Sequence, residues 1–338
     1  MTAAPVGLSA YAARLPRLRL PAAAYRDAWG TCAARGLERK AVCAYDEDAV
    51  TLAVAAARAA LTHSAAPAPF DALILGATSL PYDEKPSAAT VLSALTARRD
   101  VRVVEIGGSP QAGLQALLVA WEYCAAHPGR SALAVAADAP AAPADVPHEH
   151  ALGAGAAAFL VGPDTAAATL CHCAAVTLET FGARLRRRGE ATLRDLELRT
   201  DTVAPALADL RAAVADWGPP DRLAVGGDAA AARRAGGVFG LSAPALSAPW
   251  ARIGDCGAAL APLALCDALD RAAPGERVMA VAFGAGALAL DLTAGPGLAS
   301  GRADTDSVAV LADGGEEIGY VAYLRHRRML SSRLGGTA

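Results

Sequence analysis

The sequence predicts an α/β protein, because short apolar runs alternate along the chain with longer Ala-rich segments whose apolar residues recur at helical spacing. Within the short runs nearly every residue is apolar, a pattern that is typical of parallel strands buried on both faces. At 338 residues the chain is longer than one ordinary domain. It can therefore enclose two domains, or two fused halves, around a large core.

Six apolar runs predict strands, and four segments of helical period predict helices. The strands are predicted at residues 72–75, 101–106, 132–136, 156–161, 222–225 and 278–283. The helices are predicted at residues 46–61, 110–126, 203–217 and 256–271.

The second half of the sequence echoes the first. Residues 73–78 and residues 223–228 both end an apolar strand in a turn of small residues. This similarity predicts two related halves, residues 1–165 and 166–338, which meet near residues 163–175. A further glycine-rich stretch, residues 283–287, lacks the third glycine and the acidic residue of a dinucleotide-binding loop, so a tight turn is expected there.

The composition narrows the classes of function. No apolar stretch is long enough to cross a bilayer, and the N-terminal residues lack the pattern of a secretory signal, so we expect a cytoplasmic protein without a membrane partner. A net charge of -3 gives no broad field for nucleic acid. We interpret the basic run at residues 184–188 as a solvated helix face.

Seven cysteines without a secretory signal indicate reduced thiols rather than a disulfide framework. Cys171-His172-Cys173 has no second ligand pair at zinc spacing, so no metal site is predicted. In His148-Glu149-His150 the histidines are two residues apart, whereas a helical metal pair needs three or four. We expect this segment to be a loop that leads toward a subunit interface.

Seven stretches, spread over almost the whole chain, together carry a family resemblance. They are residues 7–17, 38–42, 45–48, 76–88, 105–115, 253–259 and 320–324. In this order they resemble the thiolase superfamily, in the branch of the hydroxymethylglutaryl-CoA synthases and the proteins similar to ketoacyl synthase III.

The resemblance implies a five-layered αβαβα fold made of two similar halves, which is usually dimeric. It also implies a pantetheine tunnel, and acyl transfer or carbon–carbon bond formation on thioesters of CoA or of a carrier protein. An acyl-CoA or carrier-protein thioester is therefore the expected ligand, and no cofactor is expected.

Four catalytic positions of the family carry other residues here. The family's elbow matches residues 105–115 without a gap and places its nucleophilic cysteine at Gly107. The histidine that polarises the thioester carbonyl corresponds to Gly226, the oxyanion-site asparagine to Asp255, and the general-base glutamate to Thr78. A carboxylate at 255 would oppose developing negative charge, and a threonine is too weak a base. Four losses together indicate that the ancestral reaction was lost.

Two nearby side chains are candidate substitutes for the lost nucleophile. Ser109 precedes Pro110 in the arrangement of a helix N-cap, so its hydroxyl is expected to bind backbone amides. Cys256 lies beside Asp255, which would raise the pKa of its thiol, so a buried structural cysteine is favoured. Asp138, at a strand end that resembles the family's, is expected to be structural.

Three functions remain open. The leading hypothesis is a non-catalytic subunit in a homo- or hetero-oligomer with an intact thiolase-like paralogue, and a small zinc-containing OB-fold protein is a further candidate partner. The second is direct acyl transfer without an acyl-enzyme, suggested by Lys85, Asp255 and Cys256 around the expected site. The third is a module that binds acyl-CoA without turning it over.

Overall fold

A computed structural model of the protein describes residues 6–62, 69–164, 166–180, 184–195, 201–301 and 307–330. Its strands are β1 Gly7–Arg14, β2 Leu18–Pro21, β3 Arg39–Val42, β4 Ala72–Gly76, β5 Arg102–Ile106, β6 Ala132–Asp138, β7 Gly155–Gly162, β8 Ala168–Val176, β9 Arg222–Gly226, β10 Leu246–Ser247, β11 Arg277–Gly284, β12 Gly286–Ala294 and β13 Glu316–Glu317. Its α-helices are α1 Ala22–Trp29, α2 Ala49–Thr62, α3 Ser87–Leu95, α4 Ala112–Ala126, α5 Val203–Ala213, α6 Ala229–Phe239, α7 Trp250–Ile253, α8 Leu260–Arg271, α9 Leu298–Gly301, α10 Val308–Asp313 and α11 Tyr320–His326.

Ten strands form one sheet whose two halves repeat the same pattern. The order is β5-β4-β6-β7-β1 in the first half and β10-β9-β11-β12-β8 in the second, and β1 and β8 join the halves. In each half the outer three strands are parallel, and the remaining pairs are antiparallel. The sheet is therefore mixed, and the expectation of parallel strands is wrong for the pairs that involve β1, β7, β8 and β12. The division of the chain at residue 165 stays a prediction, and that residue lies outside the described ranges.

Three hydrophobic clusters separate the layers of the fold. On β4, Leu73 and Leu75 pack toward α2 and α3, whereas Ala72 and Ile74 pack toward α4 and α8. The strands of the second half likewise divide their side chains between the α4–α8 layer and the layer formed by α5 and α6. Because successive side chains of a strand point to opposite faces, each half of the sheet is covered on both sides. The result is the five-layered αβαβα fold that the resemblance implies.

The predicted elements are confirmed, although some boundaries shift. All six predicted strands are present within two residues of their predicted ends. The helix predicted at residues 203–217 ends at Ala213, and the one predicted at 256–271 starts as a short 3₁₀ turn at Gly257–Ala259 before α8. The expected tight turn at residues 283–287 is the connection from β11 to β12, in which Gly284 pairs with Gly286. The small sheet of β2, β3 and β13 was not predicted.

The two central helices meet near their N-termini without intervening side chains. A Cβ atom at Gly113, in the first turn of α4, would overlap the carbonyl group of Ala258, just before α8. A Cβ atom at Gly76, at the end of β4, would overlap the carbonyl group of Ala112. Glycine at 76 therefore lets the start of α4 lie directly against β4, and glycine at 113 lets it lie against the second half of the chain.

A buried ionic cluster ties the small sheet and α11 to the rest of the chain. The Lys40 Nζ atom lies 3.0 Å from Glu149 Oε1, and neither side chain is exposed. The Tyr25 hydroxyl donates to Glu149 Oε1 at 2.5 Å, and the Tyr323 hydroxyl donates to the same oxygen. The segment at residues 148–150 forms turns, as expected, and its lead toward a subunit interface stays a prediction; Glu149 itself is enclosed within its own chain.

The cluster shifts the pKa values of both charged groups. Burial lowers the pKa of Lys40 to about 8, against the opposing effect of Glu149. Burial alone would raise the pKa of Glu149, but Lys40 and the two tyrosines outweigh it and hold that pKa below its ordinary range. Each partner therefore keeps the other charged in a place where an isolated charge would be costly.

None of the helices in the described ranges combines the length and the apolar character that a membrane span needs.

The buried pair predicts a non-additive double mutant. Glu149→Leu leaves the Lys40 charge unpaired, and we expect it to lower the free energy of unfolding by about 3–5 kcal/mol. Adding Lys40→Met should recover part of that loss, because no buried charge remains. Urea unfolding of the single and double variants measures the coupling.

The same cluster predicts acid sensitivity. Since the pKa of Glu149 is lower in the folded state, its stabilising contribution is present above the ordinary glutamate range and is lost as the pH falls through the folded-state pKa. The acid-induced loss of stability should therefore be smaller in the double variant than in the wild type. Equal losses in both would contradict this assignment.

Candidate functional site

The elbow connects the end of β5 to the start of α4. Gly108 has a φ of 89°, a left-handed conformation that favours glycine. The Ser109 Oγ atom accepts a hydrogen bond from the Gln111 backbone N–H at 3.2 Å, so its hydroxyl binds a backbone amide as expected. The helix itself starts at Ala112, and Ser109 therefore caps the preceding turn rather than the helix.

A cavity of about 490 Å³ brings the elbow together with the second half of the chain. Its wall includes Gly108 and Ser109 from the elbow, Gly226 from the end of β9, and Asp255. Elbow residues and two of the other three predicted positions thus share one cavity. Among the described residues that line it there is no cysteine, histidine, lysine or glutamate.

Gly226 is closed off by α8. A Cβ atom at this position would lie 2.9 Å from the Ala261 Cα atom and still closer to the Ala261 Cβ atom. At the neighbouring Gly227, a Cβ atom would lie 2.7 Å from the Ala231 Cβ atom. Neither glycine could carry a larger side chain unless a helix moved.

Gly107 differs from Gly226 and Gly227, because it is exposed and the space around it can accept a side chain. A Cβ atom there would meet only the Ala77 carbonyl oxygen, at 3.2 Å. A shift of a few tenths of an ångström would accommodate it. The elbow could therefore hold a side chain at this position, whereas the wall at Gly226 could not.

Asp255 is paired with a residue that the sequence did not single out. The Arg184 Nη1 atom donates to Asp255 Oδ2 at 2.5 Å, and the Gly257 N–H donates to Asp255 Oδ1 at 2.8 Å. The backbone of Asp255 is fixed as well, since its N–H donates to Ala151 and its carbonyl accepts from Gly153. The expected opposition of this carboxylate to negative charge is thus offset by the adjacent guanidinium.

Thr78 does not line the cavity. Its hydroxyl donates to Asp138 Oδ2 at 2.6 Å, and its backbone N–H donates to Asp138 Oδ1 at 2.9 Å. Asp138 is completely buried and also accepts from Ser79 and from the Ala258 N–H. The expected structural role of Asp138 is confirmed, because it joins the loop after β4 to the turn before α8.

Cys256 is enclosed, as expected of a buried cysteine. Its Sγ atom lies 3.6 Å from the Gly254 carbonyl oxygen, and the side chain has no exposed surface. Burial raises the pKa of the thiol well above its ordinary value, and the charges of Asp255 and Asp138 add to that shift. A thiol in this environment stays protonated near neutral pH and is a poor nucleophile.

Comparison with known proteins decides the family, although no family model matches the chain. The hydroxymethylglutaryl-CoA synthase of Methanobrevibacter smithii is 30% identical over 301 residues, which cover 83% of this chain and 86% of that protein. The chain belongs to the hydroxymethylglutaryl-CoA synthase family. The synthases of Methanocella arvoryzae and Thermococcus gammatolerans are 33% and 36% identical, but the alignments span only 52% and 45% of those proteins.

Solved structures of the hydroxymethylglutaryl-CoA synthase family share the fold. A synthase complexed with CoA superposes with a TM-score of 0.81 at 18% identity and covers 98% of this chain and 92% of that one. The synthase of the curacin biosynthetic pathway in complex with acetyl donor-ACP superposes with a TM-score of 0.77 at 17% identity, over 95% of this chain and 88% of that one.

The basic run at residues 184–188 is not the helix that we expected, although residues 186–188 are exposed to solvent. Leu185 pairs with Arg194 in an isolated bridge, and Arg184 enters the cavity wall. Arg186 donates to the Thr78 carbonyl oxygen at 2.9 Å. The run therefore crosses the site, and nothing in its local sequence indicates the contact between Arg184 and a residue 71 positions later.

Lys85 does not join the site either. It is exposed and lies outside both the described cavity lining and the wider groove, of about 880 Å³, that contains Thr78. Its Nζ atom lies 4.3 Å from the centroid of the Tyr82 ring. Of the three residues that suggested direct acyl transfer, only Asp255 lines the cavity.

In the Cys171-His172-Cys173 segment the histidine is bound to an acid. The His172 Nδ1 atom lies 2.9 Å from Asp291 Oδ2, and Arg277 donates to the same oxygen at 2.8 Å. Among the residues that the structure describes, no cluster of three or more His, Cys, Asp or Glu side chains is arranged to hold a metal ion.

The packing at Gly226 predicts a destabilising methyl group. Gly226→Ala should lower the free energy of unfolding by about 1–3 kcal/mol through overpacking against α8. That loss should be smaller in an Ala261→Gly background, because the facing methyl group is gone. Gly237→Ala is the matched control: its Cβ atom would meet nothing within 4 Å, so no loss is expected. Additive effects of the 226 and 261 changes would contradict the packing.

The room at Gly107 predicts an accessible new thiol. In a Cys173→Ser background, which removes an exposed native thiol, Gly107→Cys should unfold within a few degrees of its parent. A thiol reagent should modify Cys at 107 rapidly in the folded protein, while Cys256 should react only after unfolding. A large loss of stability, or an unreactive new thiol, would show that the elbow is closed.

Proposed function

We propose that this chain is a non-catalytic thiolase-fold subunit that works beside a catalytically intact thiolase-like paralogue in acyl transfer or condensation on acyl thioesters. Its relatives are named hydroxymethylglutaryl-CoA synthases, and structures of similar fold include complexes with CoA and with a donor ACP. By extension, the thioester would be carried by CoA or by a carrier protein. A zinc-containing OB-fold protein remains a candidate third member.

The observation that carries the proposal is the composition of the cavity wall. Covalent thioester chemistry needs a nucleophile and a base within reach of each other. The described lining offers no cysteine, histidine, lysine or glutamate, and its two aspartates, Asp228 and Asp255, already accept hydrogen bonds from Ala231 and from Arg184. At Gly226 the packing of α8 also excludes a replacement side chain.

The open edge of the sheet supports a partner. Among the described residues, β5 is the last strand of the first half and pairs with β4 alone, while β10 forms the opposite edge of the sheet. An edge strand presents unpaired backbone groups that a strand of another chain can bind. Below the edge, a cavity of about 230 Å³ is lined by apolar side chains that include Ile74, Val104 and Val119. A thiolase-like paralogue with a matching edge would cover both features.

Two other functions remain in competition. Direct acyl transfer without an acyl-enzyme is favoured by the Arg184–Asp255 pair in the cavity wall. Turnover by the purified chain, abolished in Asp255→Ala, would support it. Binding of acyl-CoA without turnover is the third function, and a calorimetric titration without heat of binding would exclude it.

Assembly is the decisive test of the proposed function. When the tagged chain is produced in its native cell, a paralogue with the elbow cysteine should co-purify. Val104→Lys places a charge on the β5 edge and should abolish the complex, because a lysine on an edge strand blocks pairing. Val310→Lys, at an exposed position on α10, is the matched control and should leave the complex intact. A self-sufficient homodimer that turns over thioesters would refute the proposal.

A further inference from the structure

Arg184 places an incompletely bonded guanidinium in the wall of the cavity. Its side chain is one quarter exposed, and its Nη1 atom binds Asp255. The Nη2 atom is buried, and no hydrogen-bond acceptor within the described residues reaches it. A buried donor without a partner is costly, and a molecule held in the cavity would supply the acceptor.

Asp255 holds Arg184 and leaves no carboxylate oxygen without a partner. Oδ2 accepts from Arg184, and Oδ1 accepts from the Gly257 N–H. Hydrogen bonds to Ala151 and Gly153 fix the backbone on both sides of the side chain. The group of this pair that is left to bind a molecule in the cavity is therefore the Arg184 guanidinium and not the Asp255 carboxylate.

The charges around the cavity limit the kind of acceptor. Among the described lining residues the ionisable side chains are Arg184, Asp228 and Asp255. Two carboxylates and one guanidinium leave an excess of negative charge, which repels an anionic ligand at close range. A neutral oxygen, such as a carbonyl, can accept from Arg184 without that repulsion.

We infer that Arg184, positioned by Asp255, binds the carbonyl oxygen of a neutral acyl thioester in this cavity. The thioester class rests on the proposed function, whereas the donor and its preference for an uncharged acyl group rest on the geometry of Arg184, Asp255 and Asp228. Arg184 is the specificity-determining residue, and Asp255 is its positioning residue.

The first test compares three probes on the purified full-length chain by calorimetry. They are acetyl-CoA, S-ethyl-CoA, in which a methylene replaces the carbonyl, and malonyl-CoA, whose acyl group ends in a carboxylate. Acetyl-CoA should bind at least about tenfold more tightly than S-ethyl-CoA, because only its carbonyl accepts from the guanidinium. It should also bind more tightly than malonyl-CoA.

Two variants test whether Arg184 causes the difference in affinity between acetyl-CoA and S-ethyl-CoA. In Arg184→Met the affinities for acetyl-CoA and S-ethyl-CoA should become equal. Arg186→Met removes a neighbouring guanidinium that binds the Thr78 carbonyl in the wider groove, so it should leave the tenfold difference unchanged. Thermal unfolding of each variant checks that the fold is retained.

Asp255→Asn distinguishes a positioning role of the carboxylate from direct contact with the thioester, because the two roles predict opposite changes in acetyl-CoA affinity. If Asp255 positions Arg184, the variant should bind acetyl-CoA more weakly, and Asp255→Glu should recover part of the affinity. If the carboxylate instead faces the thioester, an amide donor at 255 should tighten binding, and that result would overturn the inference.

Equal wild-type affinity for acetyl-CoA and S-ethyl-CoA, or no binding of either, would also overturn the inference. Neither result tests the assembly of the chain with a paralogue. That assembly is measured by co-purification, with the variant on the β5 edge as its test. The inference and the proposed function can therefore fail independently.

Discussion

The contact between the N-terminal ends of α4 and α8 is the constraint on which the site depends. Gly113 lies against the Ala258 carbonyl group, and Gly76 lies against that of Ala112. A side chain at Gly113 would push the start of α4 away from the second half of the chain, and one at Gly76 would push it away from β4. Since the cavity is formed by both halves, its existence follows from this packing rather than from any residue that lines it.

Local patterns in the sequence were sufficient for the layers and the order of elements. The strand at residues 72–75 is apolar throughout because Leu73 and Ile74 face two different helical layers. Such continuous apolar runs can be recognised from the sequence alone. The antiparallel inner pairs could not be predicted from the sequence, because β7 is also buried on both faces and has the same apolar composition as the parallel strands. β2 and β13 are too short to give a periodic signal.

Family motifs brought two of the four predicted positions into one cavity, whereas contacts between distant residues were not predicted. The motif matches led to Gly226 and Asp255, and these two residues do share a cavity. Arg184 had no motif, because its partner lies far along the chain and an arginine-rich run is usually solvated. Lys85 was expected at the site through its proximity in sequence to a motif, yet it projects to solvent beside Tyr82.

Asp138 has a consequence beyond its own hydrogen bonds. It touches neither cavity, but it fixes the loop at Thr78 and the turn at Ala258, one in each half of the chain. A buried carboxylate behind the walls therefore helps to set the shape of the site, together with the close packing at Gly113 and Gly226. A change at Asp138 would therefore alter the cavity without a change in any described residue that lines it.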